Sequence, residues 1–139
     1  MHKLCMIGTG YVGLVSGICF ADLGNKVICV DQDKNKIDKL RKGISPIYEP
    51  GLDEILKKNI RDDRIEFTSN LKEAVKKSDI IFLCVGTPNK KNSLDVNLLF
   101  VFKAVKEVIK NINSKKIIVT KSTVPVGTGD QIEKLVKRK

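Results

Sequence analysis

Three glycines, Gly8, Gly10 and Gly13, stand at the spacing GxGxxG between a short apolar run and a longer stretch of small and apolar residues. In a strand, tight turn and helix of this kind, the free N–H groups of the first helical turn face an anion. The first glycine permits the turn, the second lets a pyrophosphate approach the backbone, and the third lets the helix pack closely on the sheet. The spacing therefore predicts a dinucleotide-binding turn.

An acidic residue, Asp31, ends the next apolar run and follows Gly13 by 18 positions. A carboxylate about 20 residues after such a turn accepts hydrogen bonds from the adenosine ribose hydroxyls. A 2′-phosphate at this place would meet a like charge, which Lys34 and Lys36 offset only in part. The pattern favours NAD over NADP. In the competing interpretation, the glycines only make a tight turn and Asp31 only caps a helix.

Two further segments follow apolar runs and should reach the same edge of a sheet. Residues 85–88 (VGTP) are expected to wall the nicotinamide-ribose side, although Gly86 and Pro88 equally well end a strand, and spacing does not separate the two readings. In residues 121–127 (KSTVPVG), hydroxyl groups are available to bond a cofactor or a reacting group, and Lys121 is the one strong candidate for a base. The single histidine, His2, precedes the first strand and is not expected to be catalytic.

These segments need elements that position them. Apolar runs predict strands at 2–7, 26–31, 64–68, 79–85 and 116–120, and helical spacing predicts helices at 11–23, 34–43, 52–60, 71–77, 98–112 and 130–139. Asn89 to Asn97 is predicted to be a polar loop. Because parallel strands need right-handed crossovers, we expect an α/β, Rossmann-type doubly wound parallel sheet of order 3-2-1-4-5. A ligand crevice should then lie at the switch point between strands 1 and 4.

Bulk properties narrow the function classes. The 139 residues, 42% of them apolar, suit one domain over residues 1–139, and no apolar run or leader pattern predicts a membrane span or export. We therefore expect a cytoplasmic protein. The net charge of +10 comes from lysines spread over most helices, so a nucleic-acid interface is not expected. The cysteine spacing fits neither a metal site nor a disulfide framework, and buried, reduced thiols are predicted at Cys5, Cys19, Cys29 and Cys84.

Five segments together resemble the UDP-glucose 6-dehydrogenase family, within the wider UDP-glucose/GDP-mannose dehydrogenase group. They are IGTGYVGLVSG at 7–17, NKVICVDQD at 25–33, SPIYEPGL at 45–52, VGTP at 85–88 and KSTVPVGTG at 121–129. The last three are far more specific than the glycine turn, and the resemblance covers the whole chain. It implies oxidation of the C6 alcohol of a nucleotide sugar to the carboxylate, with two NAD molecules, through an aldehyde and a cysteine thioester.

The resemblance also implies roles for particular residues. Thr123 is expected near the catalytic centre, where it would help to orient a water molecule or the reacting hydroxyl. The implied NAD contacts are Gly8, Gly10, Tyr11, Val12, Gly13, Asp31, Lys36, Thr87 and Thr123.

Parts of the family pattern are absent from the 139 residues. There is no GGxCxPKD-like stretch with the nucleophilic cysteine, no NPEFLxEG-like substrate loop, no long central dimer helix and no nucleotide-sugar domain. None of the four cysteines can be assigned the nucleophile's role. We expect a truncated first domain without its sixth strand, which binds NAD weakly and is inactive by itself. UDP-glucose binding and homo-oligomer formation are expected of the full-length enzyme.

Three alternatives remain open at this point. Relatives that act on GDP-mannose or UDP-N-acetylhexosamines share these motifs, and substrate choice would lie outside this chain. A free-standing module that senses NAD without catalysis is compatible with the chain length. A basic nucleic-acid binder would require salt-dependent binding that NAD does not displace.

Overall fold

The computed structural model describes residues 1–138 as one parallel sheet with helices on both faces. The strands are β1 (Lys3–Ile7), β2 (Lys26–Val30), β3 (Ile65–Thr68), β4 (Ile80–Leu83) and β5 (Ile117–Thr120). The helices are α1 (Tyr11–Asp22), α2 (Lys34–Arg41), α3 (Leu52–Arg61), α4 (Leu71–Lys77), α5 (Leu99–Asn111) and α6 (Thr128–Lys137).

The strand order is β3-β2-β1-β4-β5, with every pair parallel, which confirms the predicted topology. The register aligns the last residues of the strands. Ile7 of β1 lies opposite Val30 of β2 and Leu83 of β4, while Leu83 lies opposite Thr120 of β5. The loops that follow these strands therefore meet at one edge of the sheet, where parallel α/β proteins bind ligands.

Each face of the sheet is covered by its own apolar core, as expected when buried parallel strands are nearly continuous apolar runs. One core joins β-strand residues to helices α1, α2 and α3 through Leu14, Ile18, Ile37, Leu40 and Leu56. The other joins the opposite face to α4, α5 and α6 through Val75, Val101, Val105, Val108 and Ile132.

Several local predictions need correction. Helix α6 begins at Thr128, two residues before the predicted start, because Gly127 takes a left-handed turn (φ 88°) directly before it and the Thr128 hydroxyl donates to the Pro125 carbonyl. The predicted end of this helix at Lys139 lies outside the described residues. The loop at 89–97 contains an isolated antiparallel bridge between Asn89 and Val96. Among residues 1–138, no helix is both long enough and apolar enough to cross a membrane.

The prediction that all four cysteines are buried is wrong for Cys19. Cys5, Cys29 and Cys84 are buried, whereas Cys19 is exposed. A helix turns about 100° per residue, so Cys19 points away from the sheet although its neighbour Ile18 is in the core. All four thiols are free.

Candidate cofactor site

A cleft of about 800 Å³ lies at the carboxyl edge of the sheet, between the loops that follow β1, β2, β4 and β5. It is lined by nearly all the residues that the sequence selected, which are Gly8, Gly10, Tyr11, Val12, Asp31, Lys36, Thr87 and Thr123. Val85, Gly86, Lys121 and Ser122 line it as well. Residues distant in the sequence thus share one concave site of the size that takes a small molecule.

The glycine turn leaves its backbone open toward this cleft. Gly8 has a φ of 102°, and a Cβ there would lie 2.7 Å from the Cys84 carbonyl oxygen, so both conformation and space require glycine. At Gly10 a Cβ would meet no atom within 4 Å. Gly10 is also the N-cap of α1, which has neither a capping side chain nor an acidic residue in its first turn. The uncapped helix end therefore offers N–H groups and a positive dipole to an anion.

Gly13 lies beneath the turn rather than in the cleft lining. A Cβ at Gly13 would lie 1.9 Å from the Gly8 carbonyl oxygen and 2.9 Å from the Cys84 Cβ. Gly13 therefore lets α1 pack on the turn, which is the role expected of the third glycine of the motif. Any contribution to a ligand is indirect, through the position of the helix.

Asp31 is held by donors from three directions. Its Oδ2 accepts from the Thr9 N–H at 3.0 Å, the Thr9 hydroxyl at 2.6 Å and the Lys36 ammonium at 3.2 Å, and its Oδ1 accepts from the Asp33 N–H at 3.0 Å. Partial burial alone would raise the pKa of Asp31, but these hydrogen bonds outweigh it and lower the pKa from 3.8 to about 2. The carboxylate is therefore charged at neutral pH, as a ribose acceptor must be.

The loop after β5 is tied to the loop after β4 by Ser122. The Ser122 hydroxyl donates to the Val85 carbonyl at 2.7 Å and lies 3.2 Å from the Leu83 carbonyl. Its backbone N–H also donates to Leu83, at 2.9 Å. The Ser122 hydroxyl lines the cleft and donates its proton to the loop after β4, so it holds the two loops together. Thr123 is exposed and lines the cleft.

A second tie joins the glycine turn to the Pro-rich segment at 45–51. The Tyr11 hydroxyl donates to the Glu49 carboxylate at 2.8 Å, and this hydrogen bond, together with the negative charge of Glu49, raises the pKa of Tyr11. Tyr11 remains 55% exposed at the cleft rim. The SPIYEPGL segment at 45–52, which the sequence linked to function only through the family resemblance, thus lies against the rim of the cleft.

Sequence reasoning missed Thr9. It occupies a variable position of GxGxxG, where no residue type is prescribed, so the motif carried no signal for it. Its near-complete burial, at 1% exposure, and its contact with Asp31 follow from the parallel register of β1 and β2. No group of three or more metal-ligating side chains gathers anywhere in residues 1–138.

The model of the UDP-glucose/GDP-mannose dehydrogenase family's NAD binding domain matches residues 2–139. The chain belongs to this family. NAD is therefore the cofactor of the domain, and the open backbone at Gly10 and the charged Asp31 carboxylate fit that ligand. The predicted resemblance is confirmed.

Relatives in the family are similar over the whole chain. The UDP-glucose 6-dehydrogenase of Rhizobium meliloti is 50% identical over 97% of the chain, and UDP-glucose 6-dehydrogenase TuaD of Bacillus subtilis is 49% identical over 99%. The chain spans about 30% of the length of these curated relatives.

Solved structures of family members share the fold. A ternary complex of GDP-mannose dehydrogenase from Pseudomonas aeruginosa superposes with a TM-score of 0.91 at 37% identity, covering 96% of this chain and 31% of that one. A UDP-glucose dehydrogenase from Pyrobaculum islandicum gives a TM-score of 0.92 at 36% identity, covering 99% of this chain and 33% of that one.

Proposed function

We propose that the chain is the NAD-binding portion of a UDP-glucose 6-dehydrogenase, which oxidises UDP-glucose to UDP-glucuronate with two NAD molecules. The observation that carries the proposal is the convergence of the glycine turn, Asp31 and residues 85–87 and 121–123 on one cleft. Identity near 50% to two UDP-glucose 6-dehydrogenases favours UDP-glucose over other nucleotide sugars.

Each cleft residue has a role in this proposal. The backbone of the turn, from Gly8 through Tyr11 and Val12, holds the pyrophosphate, and Asp31 with Lys36 holds the adenosine ribose. Thr87 and Thr123 lie on the loops after β4 and β5 and hold the nicotinamide-ribose side. When bound, NAD supplies the hydride acceptor. Thr123 orients the reacting hydroxyl or a water molecule beside it.

The nucleophilic cysteine of the reaction belongs, in this proposal, to a part of the enzyme outside these residues. A thiol attacks as its thiolate. Burial raises the pKa of Cys5 to about 12 and that of Cys84 to about 11, and burial also raises the pKa of Cys29 well above its usual value. Cys19 is exposed but does not line the cleft. The chain alone should therefore bind NAD without oxidising sugar.

The remaining expectations concern the whole enzyme. We propose that UDP-glucose binds to the full-length protein, which assembles as a homo-oligomer. A cytoplasmic location is also proposed, and the four free thiols favour a reducing compartment. That residues 1–139 form one domain remains a prediction.

Isothermal titration of the chain with NAD tests cofactor binding directly. Gly10→Ala should weaken NAD binding tenfold or more because the added methyl group occupies the approach of the pyrophosphate. The fold should be unchanged, since Gly10 has an ordinary φ of −69° and free space around its Cβ position. Gly129→Ala is the matched control, because it adds a methyl group in free space away from the cleft. Equal NAD affinity in the two variants would refute the proposed site.

A second assay tests whether the chain alone can oxidise the sugar. With NAD and UDP-glucose present, the chain alone should give no rise in NADH absorbance. Formation of NADH that depends on UDP-glucose would refute the proposal that the chain alone oxidises no sugar.

A further inference from the structure

We propose that Thr9 is a positioning residue that sets the preference for NAD over NADP, by holding the Asp31 carboxylate in one orientation. This inference rests on the proposed cofactor site, but the role of Thr9 is an additional claim. In this proposal Thr9 acts on the cofactor's ribose through Asp31, which it positions.

The first observation is the geometry of the hydrogen bond. The Thr9 hydroxyl lies 2.6 Å from Asp31 Oδ2, the distance of a strong, charge-assisted O–H···O⁻ bond. The Thr9 backbone N–H donates to the same oxygen at 3.0 Å. Thr9 therefore holds one oxygen of the Asp31 carboxylate with two hydrogen-bond donors. An aspartate whose side chain rotated freely would not keep both hydrogen bonds.

The second observation is that Thr9 is itself buried and anchored by the neighbouring strands. Thr9 is 1% exposed and follows Gly8, whose N–H donates to the Val30 carbonyl at 2.8 Å. The side chain of Asp31 is 16% exposed. Because both residues are held by the ends of adjacent strands, the carboxylate cannot turn without breaking the Thr9 contacts.

The third observation concerns how many hydrogen bonds the Asp31 carboxylate can still accept from a ligand. A carboxylate offers about four lone-pair sites. Oδ2 faces three donors, from Thr9 twice and from Lys36, whereas Oδ1 faces only the Asp33 N–H. Oδ1 therefore retains room for one hydroxyl donor. A neutral ribose hydroxyl can donate to this open site on Oδ1. A 2′-phosphate has no proton to donate and is repelled by the negative charge of the Asp31 carboxylate.

The position of Lys36 explains why the orientation of Asp31 affects the choice between NAD and NADP. Its ammonium lies 3.2 Å from Asp31 Oδ2 and its side chain is 29% exposed, so it can also reach a phosphate. If Asp31 could swing aside, Lys36 would be free to pair with the 2′-phosphate, and NADP would be accepted. The Thr9 hydroxyl prevents this by keeping Asp31 in place.

Binding of NAD and NADP to the 139-residue chain, measured by calorimetry, tests the inference. Thr9→Val keeps the shape but removes the hydroxyl, and we expect the ratio of NAD to NADP affinity to fall about tenfold, the usual effect of losing a hydrogen bond to a charged group. Thr9→Ser keeps the hydroxyl but loses a methyl group, so it should lose stability and retain the wild-type ratio. Thr9→Ala is a second hydroxyl-free variant for use if Thr9→Val does not fold.

The outcomes separate the two claims. A wild-type chain that binds no NAD would overturn the proposed function and this inference with it. A wild-type chain that prefers NAD, with the same preference in the hydroxyl-free variants, would overturn the role of Thr9 alone. A ratio that falls equally in Thr9→Ser would also overturn it, because loss of packing would then be the cause.

Discussion

Replacing Gly13 with alanine should destabilise the whole domain, because it forces α1 away from the glycine turn. The new methyl carbon would lie 1.9 Å from the Gly8 carbonyl oxygen, where real Cβ contacts are essentially never below 3.0 Å. The obstructing atom belongs to the backbone, so no side-chain rotation relieves the clash. Helix α1 must shift by about 1 Å, while the Cys84 Cβ at 2.9 Å blocks part of that movement.

The magnitude follows from two opposing effects. Overpacking of a tight site costs about 1–3 kcal/mol, and a backbone contact of this kind belongs at the upper end. Alanine in place of glycine inside a helix raises the free energy of unfolding by about 1 kcal/mol. We therefore expect Gly13→Ala to lower the free energy of unfolding by about 2 kcal/mol.

Two other glycines give matched comparisons. Gly129→Ala in α6 adds a methyl group that meets no atom within 4 Å, so only the gain in helix propensity remains and the domain should become slightly more stable. At Gly17 of α1, a Cβ would lie 2.8 Å from the Cys29 Sγ and 3.2 Å from the Met6 Cγ. These are side-chain atoms that can adjust, so Gly17→Ala should fall between the two.

Urea unfolding followed by circular dichroism measures the series. The expected order of stability is Gly129→Ala, wild type, Gly17→Ala and Gly13→Ala, with similar m-values throughout. Gly13→Ala as stable as the wild type would refute the argument that this glycine exists for close helix packing.

Three further predictions concern titration and reactivity. Hydrogen bonds lower the folded pKa of Asp31 to about 2, so its stabilisation is complete above its unfolded pKa near 4 and is lost as pH falls toward 2. Asp31→Asn should therefore lower the free energy of unfolding at pH 7, and urea unfolding of this variant should depend less on pH between about 4 and 2. Cys19 should react quickly with Ellman's reagent while the buried thiols react only on unfolding, so Cys19→Ser should abolish the fast phase. Glu49→Gln should lower the pKa of Tyr11, measured by tyrosinate absorbance in a Tyr48→Phe background, because it removes a negative charge beside the phenol.

Each of these has an opposing outcome. An acid limb that is unchanged in Asp31→Asn would mean that the Thr9 and Lys36 contacts do not stabilise the charged form. A fast thiol phase that survives Cys19→Ser would place a second thiol at the surface. A Tyr11 titration that does not move with Glu49 would show that the hydrogen bond across the cleft rim is not formed in solution.

The elements and their order were accessible from the sequence because the signals are local. Continuous apolar runs bounded by glycine, proline or polar residues predicted all five strands, and the right-handed crossover rule then left few topologies. The error at Cys19 has the same local origin. An apolar stretch indicates a buried helix, but the face on which one residue lies depends on the neighbouring elements.

The sequence by itself determined the dinucleotide turn, the acidic residue after β2 and the family, since glycine spacing and linear motifs depend only on residues close in the chain. Only the tertiary structure decided how these parts work together. The parallel register brings Thr9 against Asp31, commits the Ser122 hydroxyl to the loop after β4, and places Gly13 beneath the turn rather than in the cleft. The Thr9–Asp31 and Ser122–Val85 hydrogen bonds join residues 22 and 37 positions apart, and no local pattern specifies which donor meets which acceptor until the strands lie side by side.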